Sequence, residues 1–118
     1  MKSLLLTLGL LLTSFSTLSE NHTIHEPLFS PDRGVLCDRQ AGFCVDSYGI
    51  SMGFTKEFLG QEAQDKMMEL INRVGSENFD TTRYSFSNKV YCDSEQRACF
   101  VDRFSEEQLA DYTSILFD

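Results

Sequence analysis

Two cysteine pairs with the same internal spacing divide this sequence into two similar halves. Six residues separate Cys37 from Cys44, and six separate Cys92 from Cys99. The flanking residues match as well: Phe29-Ser30 with Phe86-Ser87, Val35-Leu36-Cys37-Asp38 with Val90-Tyr91-Cys92-Asp93, and Asp46 with Asp102. Equal spacing together with matching flanks indicates an internal duplication.

Each Val-x-Cys-Asp segment is typical of the first strand of a β-hairpin, because its valine and cysteine fall on one face. Polar, turn-forming residues fill 38–42 and 93–97. Cysteines directly opposite across such a hairpin are about 5.5 Å apart at Cα, which suits a disulfide. Four cysteines allow three pairings, and this geometry favours the local pairs Cys37–Cys44 and Cys92–Cys99.

The first nineteen residues are typical of an export signal. Lys2 supplies a positive charge, seven leucines fall within residues 4–12, and small polar residues follow at 14–19. The apolar run is too short to span a bilayer, so we expect a cleaved signal peptide over 1–19 and no membrane insertion afterwards. Export would place the cysteines in an oxidising space, where pairing into disulfides is the default.

The mature chain is small and acidic. Removal of nineteen of 118 residues leaves 99, with nine Lys and Arg against 18 acids, a net charge of −9. We expect a flexible lead-in over 20–28, then a single domain over 29–118 whose repeats cover about 29–75 and 79–118. Apolar residues make up 39 of these 99, enough for one small core, which argues against disorder. The size and the acidic charge argue against nucleic-acid binding through a basic face and against most cofactor enzymes.

A helix is predicted between the two hairpins, because apolar residues recur there at helical spacing. Gly75 is placed to end this helix over 61–74, and Gly60 to separate it from a short turn that Thr55 caps. A strand is predicted over 82–86. The apolar stripe of the helix consists of Ala63, Met67, Leu70, Ile71 and Val74.

The C-terminal stretch predicts a second, shorter helix. Ser105 and Gln108 have the spacing of a capping box, and Phe104 with Leu109 that of a hydrophobic staple. The predicted fold class is therefore α+β: a small antiparallel sheet of two disulfide-closed hairpins, packed on a central helix and a short C-terminal helix.

Residues for catalysis or cofactor binding are scarce. The two histidines, His22 and His25, lie in the predicted lead-in, so a Ser-His-Asp or Cys-His site in the folded part is not expected. The cysteine spacing differs from that of zinc knuckles and of redox C-x-x-C sites. Weak metal binding by the two histidines, or glycoside hydrolysis by paired carboxylates, remains a minor alternative. We expect no enzyme and no cofactor.

Asn21-His22-Thr23 matches a glycosylation sequon, relevant only in a eukaryotic secretory pathway.

Two further features have both a structural and a functional interpretation. Asp38 and Asp93 follow the first cysteine of each pair, where a carboxylate typically accepts backbone N–H groups in the turn. The segment 47–54 is punctuated by glycine and carries Tyr48, Met52 and Phe54. It is interpreted first as a core-packing connector and second as a partner-binding loop.

The segment FSPDRGVLCDRQAGFCVDSYGIS and the residues after it resemble the Fels prophage-like family of small exported proteins, of the YcgJ type, from enterobacteria and their phages. The resemblance covers roughly 29–65, and FSNKVYCD with Cys99 is similar to the downstream half of such proteins, with Lys89 where a glycine is expected. It implies a periplasmic, disulfide-bonded protein and assigns no catalytic residue. The matching residues are Gly34, Val35, Cys37, Asp38, Cys44, Asp46, Gly49, Ile50, Ser51, Thr55, Leu59 and Gly60.

These observations predict a non-enzymatic binding or interaction module. A protein partner of positive charge would suit a chain of charge −9, because opposite charges speed association. The alternative is an acidic inhibitor of a cationic exported enzyme such as a lysozyme. No nucleic-acid partner is expected.

Overall fold

The computed structural model describes residues 24–118. The predicted signal peptide 1–19, the first four residues of the lead-in, His22 and the sequon at 21–23 lie outside the described residues. Seven short strands and three helices follow in chain order. They are β1 (Leu28–Phe29), β2 (Leu36–Asp38), β3 (Phe43–Asp46), β4 (Gly49–Ser51), α1 (Met52–Leu59), α2 (Gln61–Val74), β5 (Arg83–Ser85), β6 (Tyr91–Asp93), β7 (Ala98–Phe100) and α3 (Ala110–Phe117).

The strands form two antiparallel sheets, and the predicted α+β class is confirmed. One sheet has the order β1-β2-β3-β4 and the other β5-β6-β7, whereas a single sheet had been expected. A backbone hydrogen bond of 2.8 Å from Ile50 N to Thr81 O links the β4 strand to the segment just before β5. The two sheets are therefore neighbours without a continuous ladder.

Strand register gives the alignment of the two halves. Phe29 lies opposite Cys37, and Tyr84 lies opposite Cys92. The predicted alignment of Phe29 with Phe86 is therefore wrong, and by strand register residues 27–45 correspond to 82–100 without a gap. We call the unit 27–59 the first copy and the unit 82–117 the second copy.

The lead-in ends earlier than predicted. Leu28 is only 1% exposed and pairs with Asp38 in the first sheet. Its N–H donates to His25 O at 3.0 Å, which closes a turn at the entrance to the strand. Leu28 therefore belongs to the folded unit, because an apolar side chain of this size gains about 1.5–3 kcal/mol on burial.

The central helix has the predicted bounds, and Gly75 and Gly60 end and begin it as expected. The Gly75 N–H donates to Ile71 O, and its φ of 96° is costly for other residues. The first helix begins earlier than predicted. Ser51 is its N-cap and accepts from Phe54 N at 3.0 Å, so Thr55 lies inside the helix and not at its cap.

The C-terminal helix begins later than predicted, at Ala110. Ser105 Oγ accepts from Glu107 N at 2.9 Å within a turn, and Gln108 pairs with Phe100 in an isolated bridge. The capping box and the staple with Phe104 are therefore wrong. Tertiary pairing with β7 holds this segment extended and overrides its local helical preference.

One hydrophobic core is shared by both copies. The Phe43 ring stacks on Phe86 at 5.9 Å and meets the Tyr84 ring edge-on at 6.0 Å, so aromatic contacts cross from the first sheet to the second. In α2 only Met67 is buried, while Val74 is 43% exposed. The central helix thus covers the core with part of its predicted stripe.

Candidate functional site

Both predicted disulfides are present, and each closes its own hairpin. Cys37 pairs with Cys44 and Cys92 with Cys99, at Cα separations of 4.0 and 4.1 Å. These separations are shorter than the predicted 5.5 Å because the cysteines occupy non-hydrogen-bonded positions, where opposite strands approach more closely. All four cysteines are fully buried, so the disulfides are structural elements of the core.

The backbone of each second cysteine is bound by a helical threonine. Cys44 N donates to Thr55 Oγ1 at 2.9 Å, and Cys99 N donates to Thr113 Oγ1 at 2.9 Å. The Thr55 hydroxyl also donates to Ser51 O at 2.6 Å. A buried N–H needs a partner, so these hydroxyls fix each helix on its hairpin.

Asp38 connects the two copies. Its carboxylate, fully buried, accepts from Gln40 N and Ala41 N at 3.0 Å in its own turn. It also accepts from Ser87 N at 2.6 Å and from the Ser87 hydroxyl at 3.0 Å. Four donors satisfy the buried charge, so the carboxylate stabilises the junction between copies.

Asp93 has the corresponding position in the second copy but acts only locally. It accepts from Glu95 N at 2.9 Å, Gln96 N at 3.3 Å and the Gln96 side-chain amide at 2.9 Å. The structural interpretation of both aspartates as acceptors for turn N–H groups is confirmed. The bond from Ser87 to Asp38 was not foreseen, since nothing in the sequence pairs residues 49 positions apart.

The residues of the predicted partner loop separate in the structure. Tyr48 lies in the turn between β3 and β4 and is 85% exposed. Met52 and Phe54 lie on the first helix instead, where Met52 packs against the main core and Phe54 against the cluster around the first disulfide. The Phe54 ring packs near that of Phe58 at 5.9 Å. Of the three, Tyr48 is the one that presents its ring to solvent.

The Tyr48 turn is held rigidly. Asp46 Oδ1 accepts from Tyr48 N at 2.9 Å. Gly49 follows with φ of 126°, and a Cβ there would lie 2.2 Å from Thr81 O, so only glycine fits. Burial of Tyr84 raises the pKa of its hydroxyl, and the negative charge of the nearby Asp46 raises that pKa further.

A second exposed ring, Phe104, was missed as a candidate. It lies in the corresponding turn after β7 and is 91% exposed. Asp102 Oδ1 accepts from its N–H at 2.8 Å. The signal was available in the sequence, because Asp46-x-Tyr48 and Asp102-x-Phe104 share an Asp two residues before an aromatic.

A cleft lies between the first hairpin turn and α2. Its volume is about 630 Å3, and its lining mixes charges of both signs with apolar side chains. Two of its lining residues, Lys66 and Glu62, form an ion pair at 3.5 Å. A third, Arg39, pairs at 3.3 Å with Glu26, which lies outside the lining. These pairs are exposed, so each contributes little to stability.

The described part of the chain contains neither a cluster of metal-ligating side chains nor a helix that could span a membrane. Within residues 24–118, no three His, Cys, Asp or Glu side chains are grouped to hold a metal ion. The helices of the same range are all too short or too polar to cross a bilayer.

These features define a class: a small disulfide-bonded α+β protein built from two copies of one hairpin-and-helix unit. The chain matches the family model of the YcgJ protein over residues 28–117 and belongs to that family. The family resemblance drawn from the sequence is thereby confirmed.

A curated relative from Escherichia coli strain K12, described as uncharacterised protein YcgJ, is 35% identical to the chain over 77 residues. The matched region covers 65% of this chain and 57% of that protein. The chain thus matches somewhat more than half of the length of this relative. No solved structure shows significant similarity to the chain.

Proposed function

We propose that this protein is an exported, non-enzymatic module that binds a cationic polypeptide partner through the Tyr48 turn. The observation that carries this proposal is the exposed Tyr48 ring on a rigid support. A ring that is 85% exposed contributes little to the core. Tyrosine supplies a large contact area with few rotatable bonds, and a turn fixed in advance loses little entropy on binding.

The cationic character of the partner follows from charge. The chain without its first nineteen residues has a net charge of −9, which speeds encounter with a basic protein and disfavours an acidic one. The face of a tyrosine ring attracts Lys and Arg side chains, and Asp46 lies at the base of the same turn. A basic segment of a partner would therefore match both the ring and its surroundings.

A non-enzymatic role is supported by what the repeated carboxylates already do. Asp38 and Asp93 accept hydrogen bonds from turn N–H groups, so neither presents a free carboxylate to a substrate. The one histidine of the described residues, His25, is exposed in the turn that precedes β1.

Export is supported by the N-terminal sequence and is compatible with the two disulfides. In periplasmic extracts prepared without reductant, we expect the unfolded protein to show no free thiols. Four titrating thiols would contradict oxidation in an exported compartment.

The binding proposal is tested by an NMR titration of the full oxidised protein with a blocked tetra-arginine peptide. We expect saturable shifts of the amides around Gly49, and none with the tetra-citrulline peptide, which has the same shape without charge. Tyr48→Ser keeps the protein's charge and should weaken binding about 2- to 5-fold, since a cation–π contact at an exposed site contributes about 0.5–1 kcal/mol.

Met68→Ser is the matched control, because Met68 is an exposed apolar residue on α2, outside the turn. It should leave the titration unchanged. Shifts spread evenly over the acidic surface, with no effect of Tyr48→Ser, would mean attraction by charge alone and would contradict the proposal.

A second candidate function is inhibition of a cationic exported enzyme such as a lysozyme. It is favoured by the uneven distribution of charge, because residues 102–118 contain five acids and one base. Inhibition at micromolar protein and low salt, relieved by added salt, is expected under this candidate. Unchanged lysozyme activity at low salt would contradict it.

A further inference from the structure

The turn that carries Phe104 corresponds to the turn that carries Tyr48. In the first copy, the pairs Val45–Ile50 and Cys44–Ser51 bracket the Tyr48 turn. In the second copy, Phe100 bridges to Gln108, and Leu109 N donates to Cys99 O at 2.8 Å around the Phe104 turn. The second turn, 101–107, is three residues longer than the first, 46–49, but the two turns connect corresponding positions of the two copies.

Both turns place an aromatic ring in solvent, and they are alone in doing so among the described residues. Tyr48 is 85% and Phe104 91% exposed, while every other Phe and Tyr ring from 24 to 118 is buried or half-buried. Both rings follow an aspartate that accepts their own N–H. Neither ring packs in the core, so both are accessible to a partner.

The surroundings of Phe104 favour a cationic ligand. Glu106 and Glu107 are exposed in the same turn, and Asp102 lies at its start. The Arg103 guanidinium lies 5.6 Å from the centre of the Phe104 ring, so this ring already accepts a cation from its own chain. Beside the ring is a cleft of about 380 Å3, lined in part by Ser85, Phe86, Ser87 and Lys89.

We propose that the Phe104 turn is a second binding site for a basic polypeptide segment, so that one chain binds two such segments. This rests on the proposed function of the Tyr48 turn and extends it to bivalent binding. A partner with two basic segments, or two partner molecules, would then be held by one small protein. Two linked contacts raise the overall affinity well above that of either contact alone.

Site-resolved NMR titration of the full oxidised protein with tetra-arginine peptide tests this proposal. The amide of Gly49 reports the first site and that of Ser105 the second. We expect both to shift saturably, each with its own dissociation constant. Phe104→Ser should weaken the second site about 2- to 5-fold and leave the first unchanged, and Tyr48→Ser should do the reverse. Phe104→Tyr should retain binding.

The possible outcomes separate the two proposals. If Tyr48→Ser weakens binding at Gly49 but Phe104→Ser changes nothing at Ser105, bivalency is wrong and the proposed function stands. If neither substitution changes either site, both proposals are wrong. Equal shifts with the tetra-citrulline peptide would also overturn the assignment of a cationic ligand. Thermal unfolding of Phe104→Ser should match wild type, since the ring lies outside the core.

Discussion

The two copies share a hydrogen-bonded frame but differ in how they complete it. In both, the first cysteine faces an aromatic, and a threonine hydroxyl binds the N–H of the second cysteine. Phe86 N donates to Val90 O at 2.9 Å in the second copy. Pro31 has the corresponding position in the first copy and lacks an N–H, and the Ser30 hydroxyl donates to Val35 O at 2.8 Å instead. The bond is retained while its donor changes.

The copies also differ in how they use their corresponding aspartates. Asp38 binds across to Ser87, whereas Asp93 binds only within its turn. In this connection the first copy supplies the acceptor, the Asp38 carboxylate, and the second copy supplies the donors, the N–H and hydroxyl of Ser87. The aspartate that caps the hairpin turn therefore makes a long-range contact in one copy only.

Asp38→Asn should lower the free energy of unfolding by about 3 kcal/mol, because it replaces a buried carboxylate that accepts from four donors with a neutral amide. Asp93→Asn should cost about 1 kcal/mol, since Asp93 serves its own turn alone. Urea denaturation of the oxidised proteins measures both values. Equal losses would show that the copies are joined by the core alone.

Thr55→Val should cost about 2 kcal/mol, because it leaves the buried N–H of Cys44 without a partner and removes the bond to Ser51 O. Thr113→Val should cost about 1 kcal/mol, since Thr113 is only half-buried. Serine at either position keeps the hydroxyl and serves as the control. If Thr55→Val were neutral in urea denaturation, the threonine contact would have no structural role.

Lys89→Gly should raise stability by about 1 kcal/mol. Lys89 has φ of 78°, a left-handed conformation costly for a residue with a Cβ, and Gly34 has φ of 77° at the corresponding position. Gly34→Ala should lower stability by a similar amount. Lys89→Ala removes the charge but keeps the strain, so it should show no such gain. A gain as large for alanine as for glycine would indicate charge as the cause.

Acid should destabilise the segment just before β5, where the second copy begins, more than the segment just before β1. The Thr82 hydroxyl, its N–H and Arg83 hold the pKa of Asp80 at about 2, below the usual 3.8. The stabilisation is complete above pH 4 and is lost as the pH falls through about 2. At a side chain this exposed it should be below about 1 kcal/mol.

Asp80→Asn should therefore flatten the loss of stability between pH 4 and pH 2 relative to wild type, as measured by thermal unfolding. Glu77→Gln, a nearby substitution with the same change of charge, is the control. If both variants behave alike, net charge and not the Asp80 contacts explains the acid response.

Much of the local structure could be predicted from the sequence, because it depends on short-range patterns. The hairpins, both disulfides and the 61–74 helix follow from period-two and helical spacing and from Gly60 and Gly75. The division into two sheets could not be predicted, since it depends on how the copies pack. The late start of the last helix was missed because Gln108 is held in a bridge to Phe100, a contact that outweighs local propensity.

The candidate site could be predicted in part. Tyr48 was identified within a glycine-punctuated segment, but Met52 and Phe54 were grouped with it because adjacency in sequence does not show which side of a helix packs. Phe104 was assigned to a staple because its spacing to Leu109 fits a helix that begins later. Comparison of the two Asp-x-aromatic turns would have placed Phe104 beside Tyr48.

The carboxylate of Asp38 joins the two copies of the unit. Amide hydrogen exchange of Ser87 tests this connection most directly, because its N–H donates to Asp38 at 2.6 Å. We predict protection of Ser87 close to that of the Cys44 and Cys99 amides, and loss of that protection in Asp38→Asn at a pH where the variant is folded. Exchange of the Ser87 amide in the wild type at the rate of an unstructured chain would contradict a connection between the copies through Asp38.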